Sequence, residues 1–434
     1  MRSAPKKILW AAIPAALVFL VTLTAGAEVK RIPPPKTMAE VEKMMRYTWN
    51  REILPAGASA DTLQRLSVRG QVVLMEDNPY PGIPWSVAAG ILIDATPATV
   101  FRIITDFDHY PGVIPMTSKA HATPAGMPNL FEVSYTLELL FSWMTMDYSV
   151  YHFHRPPYRT DWALASGEFD ICSGFYQLIP ADGGKRTMFF YSVYSLPRQA
   201  ALQKMYKAEP ALELMTNVAT ATVVTRAVKG EAEKQEGKKL APLREKSTVE
   251  EILQQDQGTI AKLAGRGKIM VLEAGPTVYV TSATIANASP EVCYQVLTDY
   301  ASYPKYLPGT QVARVTGKGK SGGPMVHLET SIKIWELNLE EKVDREYVQT
   351  PDRISWTITR STGTPAPGFW HLYPLDGGKR CLLVHGTTID FRGMGMVPRA
   401  ALRVEPSLEY GLLGSMETAD LNAFRKRMES QPPK

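Results

Sequence analysis

The sequence predicts an α+β protein built from two tandem copies of one domain. Three observations lead to this prediction. Blocks of sequence recur in the same order, each copy places a strand and a capped helix ahead of a run of alternating segments, and each copy closes with a long helical stretch. With 434 residues, of which 45% are hydrophobic, the chain is long enough for two or three domains with apolar cores.

The recurring blocks are the strongest of these observations. "ATPATVFRIITDFDHYPGVIP" from Ala95 aligns without a gap with "ASPEVCYQVLTDYASYPKYLP" from Ala288, and "GFYQLIPADGGKR" from Gly174 aligns with "GFWHLYPLDGGKR" from Gly368. Two shorter pairs, "RGQVVLME" with "RGKIMVLE" and "LPRQAAL" with "VPRAAL", keep the same order. Such a series indicates a duplication. Each unit of about 195 residues is too large for a solenoid repeat and is expected to form a domain with its own core.

The N-terminus is expected to direct export. Arg2, Lys6 and Lys7 precede an apolar stretch that ends in "AGA" at residues 25–27, a small-residue cleavage pattern. Residues 1–27 are therefore predicted to be a signal peptide, with an uncleaved membrane anchor as the alternative, because the stretch is long enough to span a bilayer. We expect a periplasmic protein, tethered to the membrane if the segment is retained.

Export changes how the charge of the chain is interpreted. The 48 basic residues less the 3 in the signal leave 45, against 43 acidic residues. The mature chain thus has almost no net charge and shows no basic stripe, so no nucleic-acid partner is predicted. Behind the signal we expect a Pro-rich spacer and helical lead-in at 28–69, a first domain at 70–228, a charged linker and second lead-in at 229–265, and a second domain at 266–430.

Each domain opens with a strand and a helix. Thr96 and Ser289 are predicted N-caps, and each is followed by a proline at the first helical position. Asp106 and Asp299 end these helices, where a carboxylate is unfavourable for the helix dipole. We therefore expect a local structural role for them, as turn residues that lead into a Tyr-Pro step, rather than catalysis.

Five alternating segments follow the helix in each unit. In "LFEVSYTLELL", Phe131, Val133 and Tyr135 fall on one face and polar residues on the other, which is typical of a half-buried strand. "ADGG" and "LDGG" are predicted hairpin turns, in which glycine supplies positive φ. The closing helices are predicted to begin at Pro197 and Pro398.

The two copies "TPATVFRIITDFDHYPGVIP" and "SPEVCYQVLTDYASYPKYLP", together with this element order, resemble the START-like superfamily, also called helix-grip or Bet v 1-like. The closest similarity is to its polyketide cyclase/coenzyme-Q-binding branch. The resemblance implies, for each domain, a curved antiparallel sheet wrapped round a long C-terminal helix, with an apolar cavity between them. It also implies binding or transport of a hydrophobic small molecule: a lipid, an isoprenoid quinone, a sterol or a polyketide.

Strand alternation indicates which side chains would line such a cavity. "MTMDYSVYHFH" carries methionine, tyrosine and histidine on one face, and methionine suits irregular apolar ligands. In the second unit, "WELNLEEKVDREY" places Glu341 on the inward face as a polar anchor, unless a bulge turns it outward. The predicted ligand-binding residues are Tyr135, Met144, Met146, Tyr148, His152, Tyr191, Leu337, Leu339 and Glu341.

Catalysis is kept as an alternative. His152 and His154 stand two apart on one strand, as zinc ligands can, but no third ligand follows at a clear spacing. No serine triad, nucleophile elbow or phosphate loop is present, so no catalytic residue, metal or cofactor is predicted. A cyclase, aromatase or hydrolase acting on a hydrophobic substrate is the second hypothesis. The third is an envelope interaction module, and transient contact with a membrane surface is compatible with each of them.

Three cysteines, Cys172, Cys293 and Cys381, are too few for a disulfide framework. The preferred interpretation is three small buried side chains. A disulfide between Cys293 and Cys381 is the alternative.

Overall fold

The computed structural model describes residues 31–76, 86–139, 144–198, 203–204, 210–237, 239–334, 337–361, 367–393, 399, 402–403, 406 and 408–431. Within these ranges the fold is α+β, and the predicted fold class is confirmed. A curved antiparallel sheet packs against a long helix in each half of the chain. The signal or anchor segment at 1–27 and the predicted helix start at Pro398 lie outside the described residues.

The first domain contains two lead-in helices, eight strands and a long final helix. Its helices are α1 (Met38–Met44), α2 (Ala60–Arg69), α3 (Pro97–Thr105), α4 (Tyr110–Val113) and α5 (Pro210–Glu236). Its strands are β1 (Gln71–Glu76), β2 (Ser86–Ile93), β3 (Thr117–Pro124), β4 (Leu130–Leu139), β5 (Met144–Arg155), β6 (Arg159–Gly167), β7 (Phe169–Ala181) and β8 (Arg186–Pro197).

The second domain repeats this order. Its helices are α6 (Val249–Gln255), α7 (Gln257–Ala264), α8 (Pro290–Thr298) and α9 (Leu408–Glu429). Its strands are β9 (Gly267–Glu273), β10 (Tyr279–Ala286), β11 (Thr310–Lys318), β12 (Pro324–Ile334), β13 (Leu337–Gln349), β14 (Arg353–Ser361), β15 (Gly368–Leu375) and β16 (Arg380–Thr388).

The predicted caps form as expected. Thr96 Oγ1 accepts a hydrogen bond from the Thr99 N–H at 3.3 Å, and Ser289 Oγ accepts one from the Val292 N–H at 3.4 Å. Proline follows each cap at the start of the helix, where its missing N–H costs no hydrogen bond. Asp106 closes α3 and bonds the ring of His109, Nδ1 to Oδ1 at 2.8 Å, a contact on the protein surface.

Two details of the element prediction are corrected by the structure. Six strands, not five, follow the first helix, because β3 with its sequence "TSKAHATP" pairs with β4 despite a weak apolar alternation. Pro197 does not begin the closing helix. It is the last residue of β8, opposite Phe169, and the described helix starts at Pro210.

All sixteen strands of the described residues form one sheet, in the order β11-β12-β13-β14-β15-β16-β10-β9-β1-β2-β8-β7-β6-β5-β4-β3. Strands β1 and β9 pair antiparallel at its centre and join the two domains. Val73 faces Met270, and these two residues hold the same position in the aligned repeats. The domains therefore meet about a local pseudo-twofold axis.

Two ion pairs obey the same symmetry. Arg69 Nη2 lies 2.6 Å from Glu273 Oε1, and Arg266 Nη1 lies 3.2 Å from Glu76 Oε1. Both arginines are the first residue of the repeated "RG" block, and both glutamates are its last. All four side chains are partly exposed, so we expect these pairs to fix the register of β1 on β9 more than to add stability.

Each domain has a core of its own, and a further core is shared. Residues of α3 and α5 pack with the first half of the sheet, and residues of α8 and α9 pack with the second half. A third cluster combines both lead-ins with the central strands, including Leu66 from α2, Ile260 from α7 and the facing residues Val72 and Val271. The shared core and the merged sheet were not predicted from the sequence.

The two long helices also touch each other. A Cβ added at Gly411 of α9 would lie 2.5 Å from both Cα and Cβ of Ala219 on α5, and one at Gly414 would lie 3.1 Å from Val218 Cγ1. Such close approach requires glycine on one helix. Among the helices of the described ranges, none combines the length and the hydropathy that crossing a bilayer requires.

Candidate functional site

A cavity lies between the sheet of the first domain and α5. Its volume is about 120 Å³. The lining residues come from the α4–β3 segment, from β4 to β8 and from α5: Tyr110, Ile114, Pro115, Met116, Thr117, Tyr135, Leu137, Tyr148, Val150, His152, Trp162, Cys172, Tyr176, Tyr191, Thr220, Val223 and Val224. No carboxylate, lysine or arginine is among them.

Aromatic rings form a large part of the cavity wall. Trp162 stacks on Tyr191 with centroids 5.3 Å apart, and Tyr135 stacks on Tyr148 at 5.2 Å. His152 connects the two groups, with ring centroids 5.5 Å from Trp162 and 6.3 Å from Tyr135. Offset packing of this kind leaves ring faces and edges available to an apolar or aromatic ligand.

Hydroxyl groups give this apolar wall a small number of polar atoms. The Tyr110 hydroxyl donates to the Ile104 carbonyl at 2.7 Å and lies 3.3 Å from the Tyr176 hydroxyl. The Tyr135 hydroxyl lies 3.2 Å from His152 Nε2. The hydroxyls of Tyr148 and Tyr191 have no hydrogen-bond partner among the described residues, and both side chains border the cavity. These two hydroxyls can therefore bond a ligand oxygen.

The cavity is uncharged at neutral pH. Burial raises the pKa of the Tyr135, Tyr148 and Tyr191 phenols well above the usual range. Burial, with a smaller contribution from His154, holds the pKa of His152 well below its usual value. Burial also raises the pKa of the Cys172 thiol to about 12. Because desolvation disfavours every charged form here, the site suits a neutral ligand with hydrogen-bonding groups.

The structure brings together four of the residues predicted for the first domain: Tyr135, Tyr148, His152 and Tyr191 line one cavity. Met146 is buried in the core beside it and is not among the lining residues. Met144 belongs to β5, but its side chain lies outside the described part of the structure. Whether these residues bind a ligand stays a prediction.

Several lining residues were missed in the sequence. Tyr110 belongs to "TDFDHYP", whose counterpart in the second copy is "TDYASYP". This stretch was interpreted only as a helix end, although the Tyr110 ring turns back into the cavity. Trp162 and Tyr176 lie on β6 and β7 at positions that the repeat matches with Trp356 and Trp370. Because both copies carry an aromatic residue at these inward positions, the aligned repeats could have identified Trp162 and Tyr176 as lining residues.

The concave side of the second domain is more polar. Leu337 and Leu339 belong to β13, but their side chains lie outside the described part of the structure. Glu341 is largely enclosed, and burial raises its pKa against the opposing effect of Arg345. The guanidinium carbon of Arg345 lies 5.0 Å from the ring centre of Trp356. This glutamate therefore points inward, on the side predicted for it.

A buried histidine–carboxylate pair lies deeper in the same domain. His385 Nδ1 is 2.8 Å and 2.9 Å from the two carboxylate oxygens of Glu417, and the Ser282 hydroxyl bonds the same carboxylate. The imidazole stacks on Trp370 with centroids 4.0 Å apart. Only 6% of the surface of His385 and 2% of that of Glu417 is exposed, so each group depends on the other for compensation.

Asp420, one helical turn beyond Glu417, should make stability depend on pH. Burial raises the pKa of Asp420 to about 7, the Glu417 carboxylate adds to this, and Arg345 opposes it. The folded protein then keeps a proton that the unfolded chain releases near pH 4, so unfolding becomes easier as the pH rises from about 4 to about 7. Asp420→Asn should remove this contribution. Urea unfolding of the native protein and of the variant between about pH 4 and about pH 7 measures this contribution. If the free energies of unfolding of the two proteins change with pH in the same way, the assignment to Asp420 is contradicted.

A wider groove opens on the other face of the second domain's sheet. Its volume is about 620 Å³, and it is bordered by Lys320, Glu346, Val348 and Arg353 among others. Val348 is 50% exposed, and the charged residues of both signs face water. Charged side chains thus border this groove, whereas the described lining of the first-domain cavity has none.

The three cysteines are free and buried, in agreement with the preferred interpretation of the sequence. His154 stacks on Phe131 at 4.8 Å and packs near Phe101 and Phe107. Among the described residues, no three His, Cys, Asp or Glu side chains are grouped so that they could hold a metal ion.

In each half of the chain a curved sheet packs against a long helix, and in the first half the two border a cavity rich in aromatic residues. Residues 286–406, most of the second domain, match the model of the family described as polyketide cyclase/dehydrase and lipid transport. The resemblance predicted from the sequence is thereby confirmed for the second domain, and the first domain repeats the strand order and long helix of the second. No curated protein matches the chain.

Solved structures with a similar fold include single-domain and two-domain proteins. The Zhui aromatase/cyclase from Streptomyces sp. R1128 is 17% identical, with 35% of this chain and 94% of that chain covered and a TM-score of 0.30. The di-domain aromatase/cyclase StfQ from the steffimycin biosynthetic pathway is 14% identical, with 77% and 97% covered and a TM-score of 0.26. A STAR-related lipid transfer protein from Xanthomonas axonopodis is 14% identical, with 38% and 93% covered and a TM-score of 0.28.

Proposed function

We propose that this protein binds a neutral hydrophobic small molecule in the cavity of its first domain and carries it. The observation that supports this most directly is the combination of an aromatic wall with uncharged hydrogen-bonding groups, above all the hydroxyls of Tyr148 and Tyr191. An apolar wall provides affinity, and a few polar atoms orient the ligand. The family matched by the second domain includes lipid transport in its description.

The size of the cavity restricts how the ligand enters. A volume of about 120 Å³ is close to the roughly 150 Å³ of an engineered protein cavity that holds one benzene ring. We therefore expect one ring or one short segment of the ligand to occupy the cavity as it stands. A whole lipid, isoprenoid quinone, sterol or polyketide requires α5 and the α4–β3 segment to move apart.

Carrying is favoured over catalysis for this cavity because its groups do not change charge near neutral pH. Burial drives the pKa of His152 down and those of the tyrosines up, so none is poised for proton transfer. Export to the periplasm is part of the proposal and is supported by the signal-like segment at 1–27. Transient contact with a membrane surface would let the carrier collect its ligand.

The proposal is tested by extracting the purified protein with organic solvent and identifying the released compounds by mass spectrometry. We expect a neutral, ring-containing or acyl compound, and a chain mass that corresponds to cleavage after Ala27. The identified compound, added back to stripped protein, should raise the melting temperature. An empty cavity, together with no thermal stabilisation by any quinone, sterol, lipid or polyketide tested, would overturn the proposal.

Removing the two free hydroxyls should weaken binding without changing the shape of the cavity. The double variant Tyr148→Phe, Tyr191→Phe is expected to lose about three- to tenfold in affinity per lost hydrogen bond for an oxygenated ligand. Tyr158→Phe is the matched control, since Tyr158 is 47% exposed and lies outside the cavity. Equal affinities of the double variant and the control would show that the ligand binds elsewhere.

A further inference from the structure

The second domain carries charged side chains where the first has uncharged ones. Trp356 faces Tyr347 across β13 and β14 as Trp162 faces His152 across β5 and β6. Tyr347 and His152 therefore hold equivalent positions. Arg345 lies two residues before Tyr347 and Val150 lies two residues before His152, so Arg345 takes the position of Val150. In the aligned blocks His385 takes the position of Tyr191. The two domains thus share a fold but differ in the polarity of the side chains on the inward face of the sheet.

Three ionisable side chains of the second domain lie between the sheet and α9 without being fully covered. Glu341 and Arg345 lie on the face of the sheet toward α9, Asp420 lies on α9 itself, and each keeps part of its surface accessible. In the first domain the same intermediate accessibility is found for Tyr148 and Tyr191, which border the cavity. Deep position combined with accessible surface is what residues around an internal space show.

Two hydrogen-bond donors in this region have no acceptor. Arg345 Nε and Trp356 Nε1 are both buried and without a partner in the structure. Trp356 is 3% exposed, and the Arg345 guanidinium lies over its ring. Buried donors are almost always satisfied, and an indole N–H can only donate. Both groups therefore require an oxygen acceptor between the sheet and α9.

The charges of the neighbouring side chains indicate which kind of chemical group would accept these hydrogen bonds. The Glu417 carboxylate is already bonded by His385 and Ser282. Burial raises the pKa of Glu341 and that of Asp420, which favours their neutral, hydrogen-bond-donating forms. Arginine stays protonated in proteins. The Arg345 guanidinium interacts with the Tyr347 side chain and is attracted by Glu341, but among the described residues no carboxylate forms an ion pair with it at contact distance. The positive charge of Arg345 therefore has no carboxylate in direct contact.

We propose that the second domain holds a separate ligand site for an amphiphile with a carboxylate head, which is bound by Arg345 and Trp356. The apolar tail would lie along the aromatic and aliphatic core beside Tyr347 and Phe424. The first-domain cavity, in contrast, takes neutral ligands. The two halves of the chain therefore bind different chemical classes, and this site does not depend on the function proposed for the first domain.

Calorimetric titration of the full chain with laurate and with dodecanol tests this site, because the two probes share a tail and differ in the head. Arg345→Met, which keeps most of the apolar stem, should weaken laurate binding about ten- to hundredfold through loss of a charge-assisted hydrogen bond. Dodecanol binding should be unchanged. Trp356→Phe should weaken laurate by a smaller factor, and the matched first-domain variant Trp162→Phe should leave laurate binding at this site unaltered.

Arg345→Lys keeps the charge and is expected to retain part of the laurate affinity, which separates loss of the anchor from loss of the fold. Thermal unfolding of each variant provides the same check. Equal binding of laurate and dodecanol by the native protein would overturn the proposal. So would unchanged laurate affinity in folded Arg345→Met, or tighter binding of dodecylamine than of laurate, which would show that the carboxylates dominate the site. Failure here leaves the first-domain extraction experiment unaffected.

Discussion

Gly411→Ala is expected to destabilise the entire protein, although it adds a single methyl group. The new Cβ would lie 2.5 Å from both Cα and Cβ of Ala219, and neither backbone-proximal atom can move without shifting a helix. Helices α5 and α9 would have to separate, and each also packs against its own half of the common sheet. We expect a loss of about 1–3 kcal/mol in the free energy of unfolding, as for other overpacked cores.

Gly230→Ala is the matched control. Gly230 also lies within a long helix, α5, but a Cβ there meets nothing within 4 Å. Alanine should stabilise this variant by about 0.5–1 kcal/mol, because it has a higher helix propensity than glycine. Urea unfolding of both variants measures the contrast in sign. If Gly411→Ala proves as stable as Gly230→Ala, the two long helices are not in the close contact described.

The Gly411 contact also shows which part of the fold could be predicted. The repeats, the helix caps and the strand alternation give information about one domain at a time. They predicted two copies of the same element order: a strand, a helix, a run of antiparallel strands and a long helix. The union of the two sheets depends on β1 pairing with β9, nearly 200 residues apart. One local signal existed: "VVLM" and "IMVL" are unbroken apolar runs, typical of strands buried on both faces rather than at an edge.

The candidate sites show a similar division. Tyr135, Tyr148 and His152 lie on two neighbouring strands, so period-two alternation was enough to place them on one face. The His385–Glu417 pair joins a strand to a helix across the domain. Its formation depends on how α9 is rotated against the sheet, which no local pattern in the sequence specifies.

Breaking the His385–Glu417 pair is the second change for which we expect a large effect. His385→Phe resembles the aromatic residue Tyr191 of the first domain, but it leaves the Glu417 carboxylate buried with Ser282 as its remaining partner. Loss of one partner of a buried ion pair costs about 3–5 kcal/mol. Glu417→Leu should cost less, about 1–3 kcal/mol, since His385 can remain neutral and loses a hydrogen bond rather than a counter-charge.

The double variant His385→Phe, Glu417→Leu should recover most of the lost stability, because apolar groups that replace both partners of a buried pair are often neutral or stabilising. Ser282 keeps an acceptor in the carbonyl of residue 385, 3.3 Å away. Denaturant unfolding of the four proteins completes a double-mutant cycle. Additive losses in the double variant would show that the two groups do not depend on each other. Recovery would mean that the pair is not needed for folding.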